Sequence, residues 1–458
     1  MNDVNVVSSS FRDPSGFLFY KNGELYRQIN KSYKDEYDFL IDSGLYQDLT
    51  EKKLLVAHRE TSITPLIESK SYKVIKPELI PFISYPYEWS FSQLKDAALT
   101  TLEIQKCALD YEMVLKDSTA YNIQFKDGKP ILIDTLSFEK YREGKPWKAY
   151  RQFCQHFFAP LALMSHKDVR LNQLLKIYID GIPLDLASKL LPTKTKTMFT
   201  ILSHIHAHAK SQKHYESKQV KVKEIKLGRR SFIGIIDNLY SGIKKLNWVP
   251  ENTEWADYYS DTNYTNTAFN HKKEIVSFIL DKTNPKIVWD LGANLGEFSR
   301  ISSNKGIPTV SFDIDPAAVE KNYLKSVEQK EGNILPLLLD LTNPSSNIGW
   351  DNAERLSIQE RGKADAILAL ALIHHLAISN NVPLGKIAEF FKSNCKYLLI
   401  EFIPKDDSQV QRLLSSREDI FDEYTKENFE DEFGKFFVIN EIFEINESKR
   451  ILYFMERV

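Results

Sequence analysis

Three aspartates beyond residue 280 stand at matching places in a repeating pattern. Asp290 lies in "KIVWDLGANLGEFSR", Asp313 in "PTVSFDID" and Asp340 in "ILPLLLDL". Each closes an apolar run of strand length, and such runs separated by helical segments describe parallel strands buried on both faces. Carboxylates at the ends of neighbouring parallel strands converge on one crevice, the place where open α/β sheets bind ligands. Gly292 and Gly296 follow the first acid, with Ala293 and Asn294 between them. Glycines let backbone approach a ligand closely, and Asn294 tolerates left-handed geometry. A helix starting after this turn would offer free N–H groups and a positive dipole end. Asp313, about 20 residues further on, can accept both hydroxyls of an unphosphorylated ribose. Asp340 is placed where an adenine edge could be read.

A dinucleotide is the competing ligand. The glycines are spaced GxxxG without the third fingerprint glycine, and Asp290 would set a negative charge against a pyrophosphate. An acid there suits a ligand that carries an ammonium group.

"DLGANLG", with Asp313, Asp340 and "ALALIHHL", resembles the class I S-adenosylmethionine-dependent methyltransferases, over roughly residues 251–458. The resemblance implies that the stretch from Asp290 to Gly296 holds the methionine part of S-adenosyl-L-methionine. It implies Asp313 for the ribose diol, Asp340 with Leu341 for the adenine, and Ala369 and Leu370 alongside the cofactor. Asn294 stands where the commonest pattern has a middle glycine. Methyl transfer is an in-line displacement that needs alignment and exclusion of water, and a base only for a protonated acceptor. His374, His375 and Glu401, at carboxyl ends of strands, are the candidates for that base, although a histidine after a buried strand is more often a packed structural residue. Tyr259 and Tyr264 in "EWADYYSDTNY" would serve either as lid contacts or as an aromatic seam between domains. Over most of its length the chain also resembles a bacterial group that includes rhizobial host-specificity nodulation proteins, on "LKDSTAYNIQF", "IDTLSFE" and "IEFIPKDDSQVQRLL". The methyl acceptor, whether small molecule, glycan or protein, is left open. A non-catalytic, cofactor-bound assembly module is the alternative from another class.

The first half has its own spacing. Asp117 is followed five positions later by Asn122, and Asp134 ends a strand after a hairpin. In kinase-like phosphotransferases such residues accept a hydroxyl proton and hold magnesium. Residues 1–210 thus resemble a reduced kinase-like lobe pair, which gives a bifunctional methyltransferase and phosphotransferase as a further alternative. Leu115 and Lys116 replace the catalytic-loop histidine and its neighbour, "IDT" lacks the phenylalanine-glycine pair, and no glycine-rich loop precedes.

The elements that must position these residues follow from pattern. Asn22-Gly23 marks a hairpin turn between short strands. Ser90 with Gln93 forms a capping box for a helix carrying Leu94, Ala97, Ala98, Leu102 and Leu109 at helical spacing. Strands return at "YNIQF" and "PILID" around Asp127-Gly128, and helical patterning runs from about residue 148 to 210. There His204 and His208 share a face at a spacing metals use, with His206 opposite. No cysteine lies nearby and no acid stands at ligand spacing, so a polar helix face is expected and no metal. Residues 210–230 hold eight basic and two acidic residues, read as a solvated linker. The expected organisation is an N-terminal α+β domain over 1–210, a basic linker and helix over 211–250, and a Rossmann-like doubly wound α/β domain over 251–458.

Bulk properties agree. A chain of 458 residues exceeds one core at about 150 residues per domain. A formal net charge of −2 argues against dedicated nucleic-acid binding. The longest apolar run is too short to span a membrane, and no secretory signal opens the chain. Cys107, Cys154 and Cys395, widely spaced, read as buried thiols in the reducing cytoplasm.

Overall fold

The computed structural model describes residues 4–210, 227–250, 265–415 and 418–458; Tyr259, Tyr264 and most of the basic run lie outside the described residues. Two compact units result. One comprises Met1–Val249 with Asn347–Arg355, the other Pro250–Ser346 with Leu356–Val458.

Unit 1 begins with an antiparallel sheet in the order β1-β2-β3-β5-β4 (β1 Val4–Val6, β2 Gly16–Lys21, β3 Glu24–Asn30, β4 His58–Thr61, β5 Ser71–Pro77). Asn22 and Gly23 both have positive φ, the geometry of a type I′ turn, whose twist matches the flanking strands. The long helix Phe91–Asp110 follows. Ser90 Oγ accepts the N–H of Gln93, and Gln93 Oε1 accepts that of Ser90 at 2.9 Å, so the expected capping box forms. Leu94, Ala97, Ala98, Leu102 and Leu109 are its buried stripe. β6 (Met113–Leu115) pairs with β9 (Phe138–Lys140), and between them β7 (Ile123–Lys126) and β8 (Lys129–Leu132) form the hairpin turned at Asp127-Gly128.

The helical stretch from residue 148 differs from expectation in being broken into short pieces. Cys154–Phe158 is a π turn just before Pro160, which lacks an N–H and crowds the carbonyl four residues back. Pro183 and Pro192 interrupt the rest. The histidines do not form a polar outer face: His204 and His206 are buried. His204 bonds Tyr150 Oη at 2.6 Å and Asn238 Oδ1 at 2.9 Å, and His206 bonds Ser188 and Thr195. His208 stacks on Tyr150. The helix Arg229–Lys245, which the sequence set apart with the linker, packs in unit 1 against Phe91–Asp110, with Arg229 donating to the carbonyl of Leu109 at 2.7 Å. Cys154 and Cys395 are buried, whereas Cys107 is half-buried and donates to Asp48.

Asn347–Arg355 belongs to unit 1 although the chain on both sides of it belongs to unit 2. Arg12 grips Glu354 through two hydrogen bonds of 2.6 and 2.9 Å, and the Arg355 guanidinium lies 4.3 Å over the Tyr121 ring.

Unit 2 is built on a seven-stranded sheet ordered β12-β11-β10-β13-β14-β16-β15. β10 (Val288–Leu291), β11 (Thr309–Asp313), β12 (Ile334–Leu338), β13 (Ala364–Ala369) and β14 (Cys395–Phe402) are parallel, and the first three are the apolar runs that lead to Asp290, Asp313 and Asp340. Antiparallel β15 (Phe437–Glu444) and β16 (Ile451–Arg457) add an edge that the sequence reading did not include. Helix Asn266–Thr283 packs its apolar stripe of Ala268, Ile275, Val276, Ile279 and Leu280 into a core with Val288, Leu368, Leu399 and Phe454. No helix among the described residues is long and apolar enough to cross a membrane.

Candidate functional site

The carboxyl ends of β10 to β13 open into a cavity of about 380 Å³. Asp290, Asp313 and Asp340 all line it, as do Gly292, Ala293, Asn294, Leu341 and Leu370. The three acids thus face one space from neighbouring strands.

The turn after β10 sets the cavity floor. Gly292 has φ +75°, and a Cβ there would come 3.3 Å from the Leu372 side chain. Asn294 takes the left-handed conformation that its type permits. Its N–H donates to Asp313 Oδ2 at 2.7 Å, while the N–H groups of Gly292 and Ala293 both donate to the carbonyl of Phe312. These amides are therefore committed to β11 instead of standing free for a ligand. The following helix, Ser299–Ser303, has only five residues, so the expected dipole site is not built. Gly296 also differs from its expected role. It does not line the cavity, and its Cβ would fall 2.6 Å from the Asn322 side chain and 2.8 Å from Arg300. Its glycine is required by packing. Ala369 is fully buried and does not line the cavity, whereas Leu370 and Ala371 do.

Burial governs the electrostatics. Asp290 and Asp313 are both pushed up to about 6 by desolvation. Opposing it, Ser299 donates to Asp290 Oδ2 at 2.6 Å, and Asp313 accepts the N–H groups of Asn294 and Asp315. Asp340 is less buried and closes a local turn by accepting the N–H and hydroxyl of Thr342 at 2.8 and 2.6 Å. Its carboxylate sits two residues past the end of β12.

The three candidate bases separate. His375 lines the cavity, and burial lowers it to about 4, so it is neutral at physiological pH. His374 does not line the cavity, is 1 % exposed and is also driven toward neutrality by burial; the two ring centroids are 4.1 Å apart. Glu401 is fully buried and outside the cavity lining. Its Oε2 accepts Lys272 Nζ and the N–H of Ala371, both at 2.6 Å, and Arg450, paired with Asp407, lies 4.0 Å from Oε1. A carboxylate so engaged orders the site and is not a free proton acceptor.

Lys272, which does line the cavity, escaped the sequence reading. Its signal was position: 272 falls in the stripe of 268, 275, 276, 279 and 280, where a lysine is out of place.

In unit 1, Asp117, Asn122 and Asp134 line a separate cavity of about 890 Å³. Burial raises the Asp117 carboxyl, which accepts the N–H of Thr119 at 3.0 Å. Asp134 is paired with Arg27 at 2.6 Å.

Five parallel strands in the order β12-β11-β10-β13-β14, an antiparallel edge, and acids in or just past three neighbouring strands define a Rossmann-like α/β protein. No protein-family model matches the chain. It is 36% identical over 466 residues to nodulation protein NoeA of Rhizobium meliloti (strain 1021), covering 98% of this chain and 96% of that one, and it belongs to the NoeA family of nodulation proteins. Among solved structures it is similar to magnesium protoporphyrin IX methyltransferase (ChlM) of Synechocystis PCC 6803 with bound SAH, at 14% identity and a TM-score of 0.32 over 44% of this chain and 91% of that one. It is also similar to the N-methyltransferase NodS of Bradyrhizobium japonicum WM9, at 10% identity and a TM-score of 0.30 over 42% of this chain and 97% of that one. Likenesses of that size carry no argument about chemistry, so the residues of the cavity must carry it.

Proposed function

We propose that the chain is an S-adenosylmethionine-dependent methyltransferase. The single observation that carries the proposal is the sharing of one cavity by Asp290, Asp313 and Asp340. The residues present fit such a cofactor: Gly292 leaves a cradle that a Cβ would fill, and Asp313 is a buried acceptor suited to a diol. Asp313 would take the ribose, Asp340 with Leu341 the adenine, and the Asp290 turn the amino-acid part. When bound, S-adenosylmethionine supplies an activated methyl group for displacement at sulfur. The chain's own work is then alignment and exclusion of water. Apolar walls from Leu370, Leu372 and Leu376 would keep the space dry, and neutral His375 could accept a hydrogen bond from the acceptor. Of the three candidate bases, His375 alone lines the cavity, and His374 and Glu401 are assigned to positioning. The acceptor, small molecule, glycan or protein, is not specified by these residues. Calorimetry on the intact protein should detect the cofactor and its demethylated product, with binding greatly weakened by Asp313→Ala. Absence of binding by the unaltered protein would remove the proposal, and turnover with an acceptor extract would exclude an inert assembly module.

A second reading, that unit 1 also transfers phosphate, is favoured by one observation: Asp117, Asn122 and Asp134 line a common cavity. Against it, Asp134 already holds Arg27. Magnesium-dependent nucleotide binding by the full chain, lost in Asp134→Asn, would support phosphotransfer; no binding would leave a recognition scaffold.

A further inference from the structure

The sheet order fixes a direction along the unit 2 cavity. Asp340 follows β12, Asp313 ends β11, and Asp290 lies in β10. A nucleoside whose base and ribose meet the first two acids must send its third part toward β10 and β13. That end of the cavity holds a cation. Lys272, from helix Asn266–Thr283, lines the cavity there with a side chain only 2 % exposed. It is fixed from two directions: Glu401 on β14 accepts its ammonium at 2.6 Å, and its charge lies 4.8 Å over the ring of Phe298, another lining residue. The same Glu401 oxygen accepts the N–H of Ala371, tying the lysine to the loop after β13. Asp290, coupled electrostatically to Lys272, supplies the opposite charge at the same end. A cation and an anion lining one cavity complement an amino-acid group, which carries a carboxylate and an ammonium together.

Resting on the cofactor reading above, we infer that Lys272, oriented by Glu401, is the counter-charge for the carboxylate at the amino-acid end of S-adenosylmethionine. Lys272 is then a binding residue, and Glu401 a positioning residue acting through it. This accounts for a lysine in an apolar stripe, where desolvation opposes its charge.

The test compares two probes that differ in that carboxylate alone, S-adenosylmethionine and decarboxylated S-adenosylmethionine, by calorimetry on the full chain. The unaltered protein should prefer the carboxylated form by roughly ten- to a hundredfold, the range of a charged hydrogen bond. Lys272→Met should bind the two nearly equally. Because that variant strands Glu401, the double variant Lys272→Met/Glu401→Leu removes the pair together, and it should also lose the preference. Retention of the preference in either variant, or equal affinities in the unaltered protein, overturns the inference while leaving the cofactor reading intact. Failure of the unaltered protein to bind either probe overturns both.

Discussion

Asp313 Oδ2 accepts the N–H of Asn294 at 2.7 Å, so the carboxylate ending one strand holds the turn that follows its neighbour. The residue assigned to the ribose is thereby also a brace for the residues assigned to the amino-acid part. Asp313→Asn keeps the size but turns an amide N–H toward the N–H of Asn294 or Asp315, so one acceptor and part of the brace are lost together. Loss of a charged acceptor should weaken cofactor affinity roughly ten- to a hundredfold. Calorimetry at pH 8 decides this, and an unchanged affinity would detach the diol from Asp313.

The same carboxyl predicts a pH profile. It is raised to about 6, and only its ionised form accepts two hydroxyls. Affinity for S-adenosylhomocysteine should therefore climb as pH rises through about 6 and level off above. A flat profile between pH 5 and 8 would contradict the assignment, and Asp313→Asn should lessen the slope.

Stability of the unliganded protein should move the opposite way. Asp290 rises from 3.8 to about 6 on folding, so its contribution is fully present below pH 4 and is lost as pH passes 6. Asp290→Asn carries no such charge. Its stability relative to the unaltered protein should increase between pH 4 and 7.5, by up to about 3 kcal/mol. Denaturant melts at the two pH values measure it; a difference independent of pH would refute the desolvation account.

Gly296 and Gly292 should separate packing from binding. Gly296→Ala forces a side chain into a φ of +75° and against Asn322 and Arg300. A loss of about 2–4 kcal/mol is expected, lowering the melting temperature. Gly292→Ala meets only Leu372 at 3.3 Å, inside the cavity wall, and should cost cofactor affinity as well.

Glu401→Gln should destabilise by about 3–5 kcal/mol, because it leaves Lys272 buried without its carboxylate. Lys272→Met/Glu401→Leu should recover much of that loss. Greater instability of the double variant would mean that Arg450, 4.0 Å from Glu401, depends on the carboxylate more than Lys272 does.

The strands were legible because parallel strands covered on both faces read as short apolar runs, and "VWDL" and "SFD" need no partner to be recognised. The capping box at Ser90 was legible because its partners are three residues apart. What the sequence hid depends on distant partners. Lys272 meets Glu401 across 129 residues. Gly296 is explained by Asn322, not by a ligand. β15 alternates partly buried and exposed positions, as in "FVINEIFE", and that edge signal is weaker than a continuous apolar run.

Asn347–Arg355 has a practical consequence for dissection. A polypeptide cut at Val249 would leave Arg12 without Glu354 and Tyr121 without Arg355, and the remainder would carry an orphaned loop between β12 and β13. Neither half is a continuous length of chain, so limited proteolysis or gene splitting at one point cannot yield two intact bodies. The two units have to be produced and tested as one piece.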